Sequence, residues 1–173
     1  MKIVLKPIGK VDSEVMEDLK EKLNLSFGCP IEITPEIYSL EESYDASREQ
    51  YLDSSLLAEM KASGTSKNEK VLGVINVDLY TPGLNFVFGK ADSTSGTAII
   101  SLCRLRQEYY GSPQNKALFH DRVLKEAIHE LGHTFGLEHC SNAICIMHFS
   151  NSLQDTDLKQ ATFCSQCRPK LIK

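Results

Sequence analysis

The chain has 173 residues, of which 42% are apolar and 24% charged, the proportions of a single globular domain with a sizeable core. A formal net charge of −4 and a pI of about 5.7 give no general electrostatic basis for binding nucleic acid or an anionic membrane. No apolar run approaches the roughly 20 residues that cross a bilayer, and the N-terminus MKIVLKPIGKV lacks the sustained apolar region of a signal peptide. We therefore expect a cytoplasmic protein, in which the six cysteines are thiols or metal thiolates rather than disulfides.

The first part of the chain predicts alternating strands and helices. KIVLKPIG (2–9) is typical of an opening strand, and apolar residues at every fourth position predict a helix over about 12–26. PIEITPEIYSL (30–40) alternates apolar and polar residues, which predicts a second strand. A second helix is predicted over about 45–62, and 63–70 has the composition of a loop.

The middle of the chain predicts three strands and a long helix. KVLGVINVDLY (70–80) is mostly β-branched and apolar, as in a strand buried on both faces. LNFVFGKAD (84–92) alternates, which predicts a half-exposed strand at a sheet edge, and GTAIISLCRL (96–105) predicts another buried strand. The Ser-Pro pair at 112–113 favours the start of a helix that runs to about Leu137. This order indicates an α/β sandwich over the first two thirds, followed by a loop-rich C-terminal part that a bound metal ion stabilises.

The stretch HELGHTFGLEH carries the strongest chemical signal in the chain. On a helix, His129 and His133 differ by only about 40° in direction, so both imidazoles can bind one ion. Gly136 can take the left-handed conformation that ends a helix and brings His139 back to the same ion. Three imidazoles predict a catalytic zinc with an open position for water, and Glu130 can accept the proton of that water. The spacing makes three histidines packed without a metal the weaker alternative.

Four cysteines follow in two close pairs. Cys140 and Cys145 form C-x4-C, and Cys164 and Cys167 form C-x2-C. Two such pairs fit a closed tetrahedral zinc site, which is structural; free thiols or two disulfides are the alternatives. Because Cys140 directly follows His139, a zinc at the four cysteines would hold the loop that carries the third histidine. The sequence thus predicts two zinc ions per chain.

These motifs resemble a known family. HELGHTFGLEH with the nearby Met147 looks like the metzincin metallopeptidases, and the continuation HCSNAICIM with the later FCSQC is similar to the archaemetzincins. The resemblance implies a mixed twisted β-sheet with an antiparallel edge strand, packed helices that include the zinc-binding helix, and a loop-rich C-terminal part. It also implies that Met147 forms an apolar floor below the histidines. Position 149 is Phe149, so the tyrosine that some metzincins supply there as a further zinc ligand is absent.

The resemblance also implies where the substrate lies. The edge strand would pair with an extended substrate backbone, as in other cases of β-strand addition. The residues that it assigns to substrate binding are Asn85, Phe86, Val87, Phe88 and Gly89.

The predicted function is zinc-dependent hydrolysis of peptide bonds by attack of a zinc-bound water, with Glu130 as general base. The alternative is a non-catalytic zinc module that binds an extended peptide or a protein partner. We expect one domain over 1–173, with an upper α/β part at about 1–137 and a C-terminal part at about 138–173. We also expect a monomer that acts on a peptide or protein substrate and binds neither membrane nor nucleic acid. A nucleic-acid role has only a few basic residues behind it, which are Lys159, Arg168, Lys170 and Lys173.

Overall fold

A mixed sheet lies at the centre of the fold in a computed structural model that describes residues 1–34, 39–64, 66 and 68–172. The strands of the described residues are β1 (Lys2–Ile8), β2 (Ile31–Ile33), β3 (Tyr44–Asp45), β4 (Gln50–Leu52), β5 (Glu69–Ile75), β6 (Leu79–Tyr80), β7 (Gly89–Asp92) and β8 (Thr97–Ser101). The α-helices of the same residues are α1 (Ser13–Phe27), α2 (Asp53–Ala62), α3 (Lys116–Thr134) and α4 (Leu153–Leu158). None of the helices in this described part is both long and apolar enough to cross a membrane.

The main sheet has the strand order β2-β1-β5-β8-β7, and only β7 runs antiparallel to its neighbour. The predicted mixed sheet with an antiparallel edge strand is therefore confirmed. β3, β4 and β6 form a separate small sheet. The sequence predicted one continuous strand over 70–80, whereas the chain leaves the main sheet after Ile75 and contributes Leu79 and Tyr80 to the small one.

Alternation along the strands builds two apolar cores, one on each face of the sheet. In β1, Ile3 and Leu5 belong to the core that contains α1 and α3, whereas Val4 and Ile8 belong to the core that contains α2. β5 and β8 are buried along almost their whole length, as expected for parallel strands that are covered on both faces. The result is a three-layer α/β arrangement, with the C-terminal part packed at the end of α3.

The predicted helix over 45–62 is wrong in its first half. α2 begins only at Asp53, and the preceding segment forms β3, a turn and β4. The turn is stabilised by the Asp45 carboxylate, which accepts hydrogen bonds from the Ser47 backbone N–H and hydroxyl, and Glu49 takes a positive φ of 54°. Local side-chain to backbone bonds of this kind compete with the helix that the apolar spacing suggested.

The predicted strand over 84–92 is also only partly correct, because β7 covers its last four residues alone. Before β7, Arg48 donates hydrogen bonds to the carbonyl oxygens of Leu84 and Asn85, and Gln50 donates a further one to Asn85. These side chains take the place of a neighbouring strand. The segment therefore follows the sheet edge as an irregular stretch with a single β-bridge, between Leu79 and Val87.

Two other predicted boundaries shift by a few residues. α3 begins at Lys116, where Asn115 caps it by accepting from the Leu118 N–H at 3.0 Å, rather than at the Ser-Pro pair. The opening strand and the first helix agree with the predictions to within one residue. The predicted strand over 30–40 is observed at Ile31–Ile33, and its residues 35–38 lie outside the described part of the chain.

Candidate metal centres and active-site cleft

Three histidines converge at the C-terminal end of α3. One ring nitrogen of each of His129, His133 and His139 lies within 4.8 Å of the others, and the Nε2 atoms of His129 and His133 are 3.1 Å apart. Gly136 brings His139 back as the sequence predicted, with a φ of 82° that an L side chain rarely adopts. The turn is completed by the Leu137 N–H, which donates to the Gly132 carbonyl oxygen across the helix end.

The hydrogen bonds of the rings show that this cluster fits a cation. The Nδ1 atom of His129 lies 2.8 Å from the Ile146 carbonyl oxygen, and that of His133 lies 2.7 Å from the Leu137 carbonyl oxygen. Since a carbonyl oxygen only accepts, each Nδ1 must carry the proton and each Nε2 a lone pair. Two lone pairs facing each other at 3.1 Å are favourable when a positive ion lies between them. Burial also lowers the pKa of all three histidines, which keeps them in the neutral form that binds metals.

Glu130 lies beside the histidines and is almost completely buried. Burial raises its pKa to about 8, and the neighbouring charge of Glu126 acts in the same direction. The side chain packs directly on the backbone of β7, because a Cβ atom added at Gly89 would come within 2.6 Å of Glu130 Cγ and 2.9 Å of its Oε1. Gly89 is therefore required for space rather than for an unusual backbone conformation.

An open cleft of about 980 Å³ joins these groups. Its lining includes the three histidines, Glu130, Glu138 and the rim segment that precedes β7. The five residues predicted to bind substrate all line it, and these are Asn85, Phe86, Val87, Phe88 and Gly89. Phe149 also lines the cleft, with its ring centroid 5.0 Å from that of His139.

The four cysteines predicted to bind a second metal converge as well. Their sulfur atoms lie within 4.8 Å of one another, and none of them forms a disulfide. Backbone N–H groups of Cys167 and Gln166 lower the pKa of Cys164 to about 6, so one thiolate is already favoured at neutral pH. Four sulfur donors with one sulfur held as a thiolate suit a closed zinc site.

A comparison with protein families decides the identity of this arrangement. The model of peptidase family M54 matches residues 5–173, nearly the whole chain. The chain belongs to peptidase family M54. As an M54 member it is a zinc metallopeptidase, which decides against the alternative of a non-catalytic binding module. Its two clusters can hold one zinc ion each.

Relatives and solved structures agree with this assignment. The M54 chain is 45% identical to the archaemetzincin of Pyrococcus furiosus, over 98% of this chain and 91% of that protein, and 44% identical to that of Methanocaldococcus jannaschii, over 99% and 93%. The structure superposes with a TM-score of 0.83 on the Archaeoglobus fulgidus archaemetzincin complexed with malonate, at 38% identity and over 98% and 99% of the two chains. The TM-score is 0.88 for a zinc-dependent peptidase from Methanocorpusculum labreanum, at 33% identity and the same coverage.

Met147 is the residue that the resemblance assigns to the floor below the histidines, and the structure of this M54 chain shows which residue makes room for it. Met147 is completely buried against α3. A Cβ atom at Gly132 would overlap the Met147 sulfur and approach Phe163 Cε1 to 3.2 Å. The sequence contains Gly132 inside HELGH, but spacing alone does not reveal that a methionine 15 positions later needs this space.

A buried ion pair beside the histidines was missed by the sequence reasoning. Lys159 is completely buried, and its Nζ lies 3.4 Å from Oε1 of Glu126, which also accepts from the Thr156 hydroxyl at 3.1 Å. Lys159 was counted among the few basic residues that could favour nucleic acid, and its burial excludes that use. The pair ties α4 to α3 one turn before His129. In the sequence, this ion pair is indicated only by Glu126, which lies on the same helical face as His129.

Replacing Lys159 by methionine should lower the free energy of unfolding by about 3 kcal/mol, because the Glu126 carboxylate would remain buried without its cation. For a chain of this length the thermal midpoint would fall by about 10 °C. Adding Glu126→Gln should restore most of the loss, since the amide oxygen can still accept from Thr156. Lys116→Met is the control, because it breaks only the exposed ion pair with Glu14. Equal midpoints for Lys159→Met and Lys116→Met would contradict the prediction.

Replacing Gly89 by alanine should lower kcat/KM for peptide cleavage by about a hundredfold, because the new methyl group would displace the Glu130 side chain. The measurement is steady-state hydrolysis at a temperature where circular dichroism shows the variant folded. Gly73→Ala is the matched control: its methyl group would press on Met60 and Ile8 in the core at 2.8 and 2.9 Å, away from the cleft. It should destabilise by a similar amount and leave kcat unchanged. Equal losses of kcat in the two variants would show that crowding of the fold, not Glu130, causes the effect.

Proposed function

We propose that this M54 peptidase hydrolyses peptide bonds with Glu130 as general base and with His129, His133 and His139 as ligands of the catalytic zinc. The observation that carries the proposal is the meeting of three neutral imidazoles and one buried carboxylate in a single open cleft. Zinc bound by the three imidazoles would polarise the scissile carbonyl and acidify a water molecule. The positive charge of an ion at the imidazoles would favour the ionised form of Glu130 in spite of its burial. Glu130 would then take a proton from the attacking water and pass it to the leaving amine nitrogen.

The backbone of β7 would align the substrate. The Ser101 N–H donates to the Phe88 carbonyl oxygen, so by the alternation of an antiparallel ladder Lys90 also directs its peptide groups towards β8. Gly89 and Ala91 then direct theirs towards the cleft, where an extended peptide could pair with them as an additional strand. Such pairing would hold the scissile bond beside Glu130, which packs on Gly89 itself.

We further infer that a second zinc, held by Cys140, Cys145, Cys164 and Cys167, has a structural role within a single domain. Residues 1–137 would provide the sheet and the active-site helix, and residues 138–173 the third histidine and the methionine floor. Support comes from two hydrogen bonds of the cysteine segment: the Cys140 backbone N–H donates to the Met147 carbonyl oxygen, and the adjacent Ile146 carbonyl oxygen accepts from the His129 ring Nδ1. The four thiolates would thus hold both the third histidine and the partner that orients the first.

Cleavage of a diverse synthetic peptide library by the full-length, zinc-loaded protein tests the proposed function. Mass spectrometry of the products should show hydrolysis, and the positions of the cuts distinguish endopeptidase from exopeptidase action. A chelator should abolish the cleavage, and added zinc should restore it. A folded protein with two zinc ions per chain that cleaves no peptide in the library would contradict the proposal.

A further inference from the structure

Lys90 is the only lysine or arginine among the described residues that line the cleft. Of the three glutamates in the lining, Glu126 is buried and paired with Lys159, burial raises the pKa of Glu130 to about 8, and Glu138 is exposed. Lys90 is exposed, and within the described part of the chain its ammonium group makes no hydrogen bond and has no carboxylate oxygen within the 4.0 Å of an ion pair. The proposed chemistry uses the histidines and Glu130 but assigns no role to this exposed ammonium group.

Lys90 stands at the point where a substrate strand would pass. It follows Gly89 directly in β7, and successive side chains of a strand point to opposite faces of the sheet. Since a side chain at Gly89 would point at Glu130 on α3, Lys90 projects from the opposite face, the one that packs against α2. A flexible lysine side chain at a sheet edge can follow that face into the cleft and reach a side chain of the bound peptide.

A buried acid on α2, Asp53, lies on the side of the sheet to which Lys90 projects. Asp53 is completely buried, and neither of its carboxylate oxygens has a hydrogen-bond partner of normal geometry among the described residues. Burial raises the pKa of Asp53, and the charge of Lys90 acts in the opposite direction. The charge of Lys90 also acts to lower the pKa of Glu130 and of His133, although both lie on α3, on the other side of the strand. Lys90 thus has acidic neighbours on both sides of the strand but no direct ion pair among the described residues.

We propose that Lys90 binds a carboxylate of the substrate and makes the enzyme prefer peptides with a negative charge close to the scissile bond. This inference rests on the proposed peptidase function and names the substrate class of the same site. The carboxylate can be an acidic side chain or the free C-terminus of a short peptide, and both offer the same group to the ammonium. The ammonium group would attract that carboxylate, whereas a lysine or arginine at the same position of the peptide would be repelled.

Matched peptides test the proposal with the zinc-loaded, full-length enzyme. One series exchanges Gln for Glu at single positions on each side of the cut, and a second exchanges a C-terminal amide for a free carboxylate. The peptide whose carboxylate lies opposite Lys90 should have a kcat/KM about three- to tenfold higher than the matched neutral peptide. A preference in the first series would identify an acidic side chain as the group that is bound, and a preference in the second would identify the C-terminus. Lys90→Met should remove the preference, Lys90→Arg should keep it and Lys90→Glu should reverse it. Lys10→Met, which removes an exposed lysine outside the cleft, should leave it unchanged.

Binding gives a second readout that does not depend on turnover. Fluorescence anisotropy with the zinc-loaded Glu130→Gln variant should show tighter binding of the acidic peptide, weakened by salt and lost on adding Lys90→Met. If Lys90→Met lowers the cleavage of acidic and neutral peptides equally, Lys90 serves only as the counter-ion of Asp53 and the proposal is wrong. If the wild type cleaves no peptide, the proposed function fails, and the binding measurement still decides whether Lys90 selects a carboxylate.

Discussion

Replacing Glu130 by glutamine should lower kcat for peptide hydrolysis by about a thousandfold or more, while both zinc ions remain bound. Glutamine has nearly the same shape and fits the space beside Gly89, but its amide cannot accept a proton from water. The loss should therefore fall on kcat rather than on KM, since the groups that hold the peptide are unchanged. Steady-state cleavage assays measure the loss of kcat, and metal analysis measures whether both zinc ions remain bound.

Glu138→Gln is the matched control for this substitution. Glu138 lines the same cleft but is exposed, and it lies after the Gly136 turn rather than on α3. Its replacement removes one negative charge from the cleft without changing the group that contacts Gly89, so kcat should change little. A Glu130→Gln enzyme that retains wild-type kcat, with zinc content verified, would remove Glu130 from the proposed mechanism and require another base.

Replacing Cys145 by serine should lower the zinc content from two ions per chain to one and destabilise the fold by about 4 kcal/mol or more, because metal binding contributes directly to folding in sites of this kind. The thermal midpoint should fall by at least about 10 °C. Cys145 is the thiol to replace, since it is 1% exposed and water cannot easily take the place of the missing ligand.

Peptide cleavage by the Cys145→Ser variant should also fall, by about a hundredfold, at temperatures where the protein is still folded. The reason is positional: Cys140 follows His139, and Ile146, next to Cys145, orients the His129 ring. Cys103→Ser is the control, because Cys103 lies outside both clusters and should leave zinc content and activity unchanged. If Cys145→Ser retains full activity with only one zinc, the second site does not hold the first one in position.

The cluster of three histidines and the two cysteine pairs could be predicted from the sequence, because the spacings within them are local. The spacing of His129 and His133 follows from the helix itself, and Gly136 accounts for the return of His139. The strands and helices with strong periodicity were also predicted, as the agreement for β1 and α1 shows. The segment over 45–52 was not, since a turn held by Asp45 side-chain hydrogen bonds replaced the helix that the apolar spacing favoured.

The chemistry is already present in the sequence: three imidazoles, one carboxylate and four thiols at spacings that allow each set to meet. How these groups are supported, and which side chains surround the cleft, depends on tertiary contacts. Arg48 and Gln50 shape the rim about 35 residues further along the chain, Gly89 makes room for Glu130, and Lys159 enters the core opposite Glu126. These contacts join residues that are distant in the chain, so they depend on how the layers pack against one another. Local sequence patterns do not predict such packing.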